Sequence, residues 1–344
     1  MARAKRGAEE PLQEAAPREI RMEALVGHDR QVRFFAKALG KGVLPQVLLL
    51  TGPQGIGKAT AARMAAAALL CEAPSPFACG RCGPCRKTAR AIHPDLREVG
   101  LEAGEESGKT RTQIVLPQVR SQILEPLALP PYEGRRLVFL LDPADALNEN
   151  AQNALLKALE EPPAYAHFFL VAANPGSLLP TVRSRCHEVA FAPLEPGEMR
   201  VYCQRNGIEA DEAALAVAGG APGRLEEARS ARGKARREAL LRLLSDGLTL
   251  PLAAELFPLL EALAKENPRE VVALAGSLVR DARRVAEDLP PLRHGDLGPR
   301  LSQAAARRGR EGLETLAGRL LEAPAHLSRN VNPRLLLERL FLVP

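Results

Sequence analysis

The chain has 344 residues, with 47 Lys+Arg against 41 Asp+Glu, a formal charge of +6. Apolar residues make up 46% and charged residues 26%, a balance that excludes a wholly disordered chain, a collagen-like chain and a disulfide-dense miniprotein. The mild positive excess permits contact with DNA or acidic partners without demanding it, and the lack of Trp argues against base-stacking platforms.

Residues 1–22 are rich in Ala, Glu, Arg and Pro and read as a disordered tail. Met1–Gly7 lacks the apolar core of a secretory signal, and no apolar run reaches the ~18–20 residues of a membrane helix. The expectation is a cytoplasmic protein with no membrane partner. Helical spacing begins over Asp29–Lys41, at Val32, Phe34, Phe35, Ala38 and Leu39. Val47–Thr51 is a continuous apolar run, the mark of a strand buried on both faces of a parallel sheet. An Ala-rich helix follows over Ala59–Leu70, then a cysteine cluster, then a polar loop over 101–112. Leu137–Asp142 and His167–Ala173 are two further buried strands. The helix between them, Asn148–Glu161, has Asn148 as its N-cap and is stopped by Pro162 and Pro163. Strand, helix and strand in that order predict a parallel α/β sheet.

Beyond about residue 193 strand signals vanish. Glu195–Asn206, Asp211–Ala218 and Arg224–Ser230 read as short helices. Ala235–Leu244, Leu252–Lys265, Arg269–Leu289, Gly298–Leu321 and Pro333–Phe341 read as longer amphipathic ones.

Three motifs carry chemistry. Gly52-Pro-Gln-Gly-Ile-Gly-Lys58 follows the first strand and opens a helix, the setting of a phosphate-binding loop. Gly52, Gly55 and Gly57 let backbone N–H groups converge on phosphate oxygens, and Lys58 reaches the β- and γ-phosphates. The full pattern ends in Ser or Thr to hold magnesium, but Ala59 stands there and Thr60 comes one residue late. On a helix that rotates the hydroxyl by about 100°. Asp142 ends the second strand, where a magnesium-associated carboxylate belongs, and Pro143 follows it. Proline cannot act as a base. Two defects in one site point away from self-contained hydrolysis.

Cys71, Cys79, Cys82 and Cys85 fall at x7, x2 and x2 spacings, with Gly80, Gly83 and Pro84 for tight knuckles. Four thiolates so placed suit a closed, tetrahedral, structural Zn site. Ser184-Arg185-Cys186 follows the third strand. By itself, Arg185 reads as a surface arginine bonded to a neighbouring carboxylate, and Arg224 as a solvated helix-opening residue.

The phosphate loop, the cysteine insert behind its helix, Asn153-Ala-Leu-Leu-Lys-Ala-Leu-Glu-Glu-Pro-Pro163, and Ser184-Arg-Cys186 occur together in that order. The combination resembles the clamp-loader branch of the AAA+ ATPases of bacterial DNA replication. The resemblance implies an AAA+ P-loop α/β domain over 23–192, with a zinc module at about 71–90. It also implies a small helical lid domain over 193–232 and an all-α collar domain over 233–344, through which subunits assemble. It implies a hetero-pentamer with ATPase (gamma/tau) and delta subunits, a sliding clamp as target, and primed-template DNA reached through the complex. Under it, Arg185 becomes an arginine finger given in trans to a neighbour's ATP site, and Arg224 the second nucleotide-sensing arginine. The nucleotide site is formed by Gly52, Gly55, Gly57, Lys58, Thr60, Asp142 and Arg224, with ATP or ADP binding weak or vestigial. The first sensor position is in doubt, because Ala172 and Ala173 occupy it beside Asn174. Within the family, Ala59 and Pro143 favour a non-hydrolysing subunit. The alternative is the ATP-hydrolysing motor, or a self-sufficient P-loop ATPase acting on DNA.

Overall fold

The computed structural model describes residues 18–102, 112–209, 211–246, 253–291, 293–328 and 331–341. Five strands form one parallel sheet: β1 (Val47–Thr51), β2 (Leu96–Val99), β3 (Leu137–Leu141), β4 (Ala166–Ala172) and β5 (His187–Ala190). Their spatial order is β2-β3-β4-β1-β5. Every residue of β1, β3 and β4 is buried, as continuous apolar runs require of central strands.

The edge strands β2 and β5 are absent from the sequence reading. Each is four residues long and mixes polar with apolar residues, Leu-Arg-Glu-Val and His-Glu-Val-Ala, because one flank meets no neighbouring strand. Such a segment carries no periodic signal. Pairing to β3 and to β1 makes it a strand.

Successive side chains of a strand face opposite sides, so the sheet has two cores. On one face Leu49, Phe139, Leu141, Phe168 and Leu170 pack against Ala151, Leu155 and Leu159 of the Glu149–Glu160 helix. On the other, Leu48, Leu50, Leu140, Phe169 and Val171 pack against Ala61, Ala62 and Ala65 of the Lys58–Leu70 helix. That helix buries small residues on nearly every side, which seats it deep against the sheet directly behind the glycine loop.

Downstream, the helices Pro196–Arg205, Glu212–Ala218 and Leu225–Arg229 enclose a small core of Leu194, Met199, Cys203, Ala214, Ala218 and Leu225. Five longer helices, Ala231–Asp246, Ala253–Ala264, Pro268–Ala286, Gly298–Ser328 and Pro333–Phe341, share a separate and larger core. Gly298–Ser328 runs past the Leu321 expected for it and breaks at Gly309, where φ is 68°. The preceding Arg308 is buried and donates from Nε to the Leu244 carbonyl at 2.6 Å. One terminal nitrogen, Nη2, donates to both the Leu243 and Phe341 carbonyls at 3.0 Å. A cation thus satisfies carbonyls at the C-terminal ends of two helices.

The tail read over 1–22 is too long. Ile20 and Met22 are buried, and the Arg18 N–H bonds to the Ala89 carbonyl at 2.8 Å. Residues 1–17 and most of the 101–112 loop lie outside the described residues. No helix among the described residues is long and apolar enough to cross a membrane.

Candidate functional site

β1 ends in the loop Gly52–Gly57. Gly52 has φ of 134°, and a Cβ there would lie 2.3 Å from the Phe191 carbonyl oxygen, so no side chain fits. Gly57, at φ 104°, turns the chain into the Lys58–Leu70 helix. Lys58 is 5% exposed, and its Nζ donates to the Gly52 and Pro53 carbonyls, each at 2.7 Å. Burial lowers its pKa, Asp142 and Asp145 oppose that shift, and Arg224 adds to it. The ammonium is thus positioned inside the loop that would receive phosphate.

Around it the two chemical defects persist in space. Ala59 is half-buried and Thr60 is exposed. Asp142 is half-buried beyond β3, and burial raises its carboxyl pKa against the pull of Arg63 and Lys58. Pro143 supplies nothing that could deprotonate water. Asp145 accepts the Asn174 backbone N–H at 3.2 Å, and the Asn174 side chain accepts from Gly176 N–H at 3.1 Å. Ala172 is wholly buried at the end of β4. Of the polar groups beyond β4, the Asn174 side-chain oxygen is thus engaged in its own turn.

The turn Pro222–Arg224 closes over the loop. Gly223 N–H donates to the Gly55 carbonyl at 2.8 Å, and Arg224 Cγ lies 3.4 Å from where a Gly55 Cβ would be. Residues separated by the whole sheet domain in sequence thus meet at the phosphate loop. His28 also reaches it, with Nε2 2.8 Å from the Ile56 carbonyl. Nothing in its sequence spacing marks His28, because the contact exists only once the chain is folded.

Arg185 follows the short helix Pro180–Arg183 at the domain edge. It pairs with Glu160 at 2.9 Å and donates to the Thr181 carbonyl at 3.0 Å. Glu160 lies in the Leu-Glu-Glu-Pro-Pro segment, so two of the sequence motifs meet here. The bonded surface arginine read from residue physics alone is what the isolated chain holds.

The four cysteine sulfurs lie within 4.8 Å of one another, and all four thiols are free. Cys71 Sγ and Cys82 Sγ are 3.9 Å apart, and Cys79 Sγ and Cys85 Sγ 4.0 Å. Zn–S bonds of ~2.3 Å in a tetrahedron put sulfurs ~3.8 Å apart, so the donor set fits a metal ion such as zinc. Backbone N–H groups of Arg81 and Cys82 lower the Cys79 thiol to about 6, while burial pushes Cys71 and Cys85 up. A cation would deprotonate them outright. The local core is only Ile20, Ala67, Cys71, Ala78 and Cys85, too small to hold the insert alone.

A family model described as DNA polymerase III, delta subunit, matches residues 27–195. The chain is 38% identical to the DNA polymerase III subunit delta' of Pseudomonas aeruginosa over 189 residues, 53% of this chain and 55% of that one. It is 30% identical to the gamma/tau subunit of Mycobacterium bovis over 207 residues, 58% of this chain and 34% of that one. It therefore spans about half the length, or less, of these curated relatives. A crystal structure of a gamma-subunit-related protein from Thermotoga maritima aligns at 17% identity and a TM-score of 0.42, over 90% of this chain and 97% of that one.

Proposed function

We propose that this chain, similar over residues 27–195 to DNA polymerase III subunits of the delta-prime and gamma/tau type, is a non-hydrolysing, delta-prime-like clamp-loader subunit. It helps open a sliding clamp and load it on primed DNA, within a hetero-pentamer of gamma/tau ATPase and delta subunits. The observation that supports this most is a phosphate loop complete in backbone and lysine but lacking hydroxyl and base. Ala59 stands in the hydroxyl position and Pro143 in the base position, while Lys58 is tied to the loop's own carbonyls. Such a site can hold phosphate but cannot activate water.

Arg185 is the chemical contribution. Given in trans, its guanidinium would stabilise charge on the phosphoryl group transferring in the neighbour's site. Zinc at Cys71, Cys79, Cys82 and Cys85 is structural in this reading, because four protein ligands leave no open position. The motor reading draws on the likeness to gamma/tau chains and requires this chain to turn over ATP by itself.

The test is steady-state ATP turnover by the purified, zinc-loaded chain, with and without primed DNA. No turnover is expected. Turnover abolished by Lys58→Ala would make the chain a motor and overturn the reading.

A further inference from the structure

A cavity of about 170 Å³ lies between the phosphate loop, the 212–229 helices and the C-terminal helices. Gln54, Gly55, Arg224, Glu227, Arg237, Glu270 and Arg293 line it. Arg236 pairs with Glu227 and Glu270, as well as with Glu266, and Arg237 pairs with Asp296 at 2.5 Å. Two guanidiniums that line the cavity, Arg224 and Arg293, have no side-chain ion pair among the described residues.

Arg293 is placed there firmly. Its backbone N–H donates to Asp281 Oδ2 at 2.8 Å, and the same oxygen accepts from His294 N–H at 2.8 Å. Asp281 is buried on the Pro268–Ala286 helix. The Arg293 guanidinium carbon lies 2.9 Å from where a Cβ on Gly219 would sit, so it packs closely over that glycine. Burial lowers the Arg293 pKa, Arg224 and Arg280 lower it further, and Asp281 opposes the shift. Arg224 in turn disfavours the charge on Lys58. Arg224 thus repels both Lys58 and Arg293, a repulsion that an oxyanion relieves.

Resting on the reading that the 52–58 loop takes phosphate, we infer that Arg293 is a further phosphate-binding residue, delivered from the C-terminal helical region. It acts with Arg224 on the oxyanions of a polyphosphate seated on the loop. Phosphate occupancy then ties the loop to the helices packed around Asp281. A nucleotide and free pyrophosphate share this chemistry.

The experiment is calorimetric titration of the full chain with ATP, ADP and sodium pyrophosphate. Arg293→Gln, which keeps much of the side-chain length, and Lys58→Ala are run alongside, with melting temperature as a check on folding. Arg293→Gln is expected to weaken ATP and pyrophosphate by about tenfold or more, the scale of a lost charge-assisted contact. Arg293→Lys is expected to recover part of that loss. Comparable weakening for pyrophosphate and ATP assigns the contact to phosphate, and weakening for ATP alone overturns that assignment. Loss of binding in Lys58→Ala with full affinity in Arg293→Gln overturns the inference and leaves the loop reading standing. A wild-type chain that binds none of the three probes overturns both.

Discussion

Arg185 is held by Glu160 before any partner arrives, and the strength of that hold decides whether it can be given away. The Glu160 side chain is 57% exposed, and exposed ion pairs are worth about 0.2–1 kcal/mol. A phosphoryl group in a dry interface outbids that easily. In the proposed role, Arg185→Ala is therefore expected to cut turnover at the neighbour's site by about 10³-fold, the lower range for an arginine finger, with assembly intact. Glu160→Gln is expected to change it little. Single-turnover ATP hydrolysis in the reconstituted complex distinguishes the two, and full turnover with Arg185→Ala would remove the role. His294 makes a different kind of statement. It is fully buried, bonded through Nε2 to Ser277 Oγ at 2.9 Å, and burial lowers its pKa from 6.5 to about 4. A depressed histidine pKa means that the unfolded chain binds the proton first as pH falls. Stability is then expected to drop between about pH 6.5 and about pH 4, with a slope that His294→Gln reduces. Urea unfolding at several pH values measures it, and an unchanged slope in the variant would assign the pH dependence elsewhere.

Among the elements, the cysteine insert and the Glu149–Glu160 helix depend on opposite kinds of support. The helix carries its own signals. Asn148 Oδ1 accepts the Ala151 N–H at 2.9 Å, and Asn148→Ala is expected to cost about 1 kcal/mol in denaturant unfolding. The insert has too few apolar residues to fold alone, so in the proposed reading its order rests on a bound cation. Cys79→Ser is expected to abolish stoichiometric zinc and lower the melting temperature, while Arg185 chemistry in the complex persists. Metal analysis by mass spectrometry tests this, and one zinc per chain in the variant would refute the ligand set. Both elements were legible in the sequence because cap, proline stop and cysteine spacing are local. β2 and β5 were not, since an edge strand such as His187–Ala190 is made by its partner rather than by its own pattern.

Across the whole molecule, Arg236 joins the short helices to the long ones. Its side chain is 5% exposed and pairs with Glu227 on the Leu225–Arg229 helix, with Glu266 and with Glu270. Removing a buried partner leaves its counter-charges uncompensated, at a cost of about 3–5 kcal/mol for a fully buried pair. Glu227 and Glu270 are 37% and 35% exposed, so the lower end applies. Arg236→Met is expected to lower stability by about 3 kcal/mol. It is also expected to speed amide exchange over 225–246, where the two helical regions meet. Exchange unchanged there would show that the apolar core alone sets their arrangement.

The sequence by itself determined the three central strands, the glycine loop with Ala59 and Pro143 beside it, and the cluster of four cysteines. Each of these is written in neighbouring residues, as a run, a spacing or an identity at one position. Tertiary structure alone decided that Arg185 rests on Glu160, that Gly223 closes on Gly55, and that Arg293 shares a cavity with Arg224. Those meetings join residues far apart along the chain. Packing of separate cores sets them, and no local pattern records where a distant side chain will arrive.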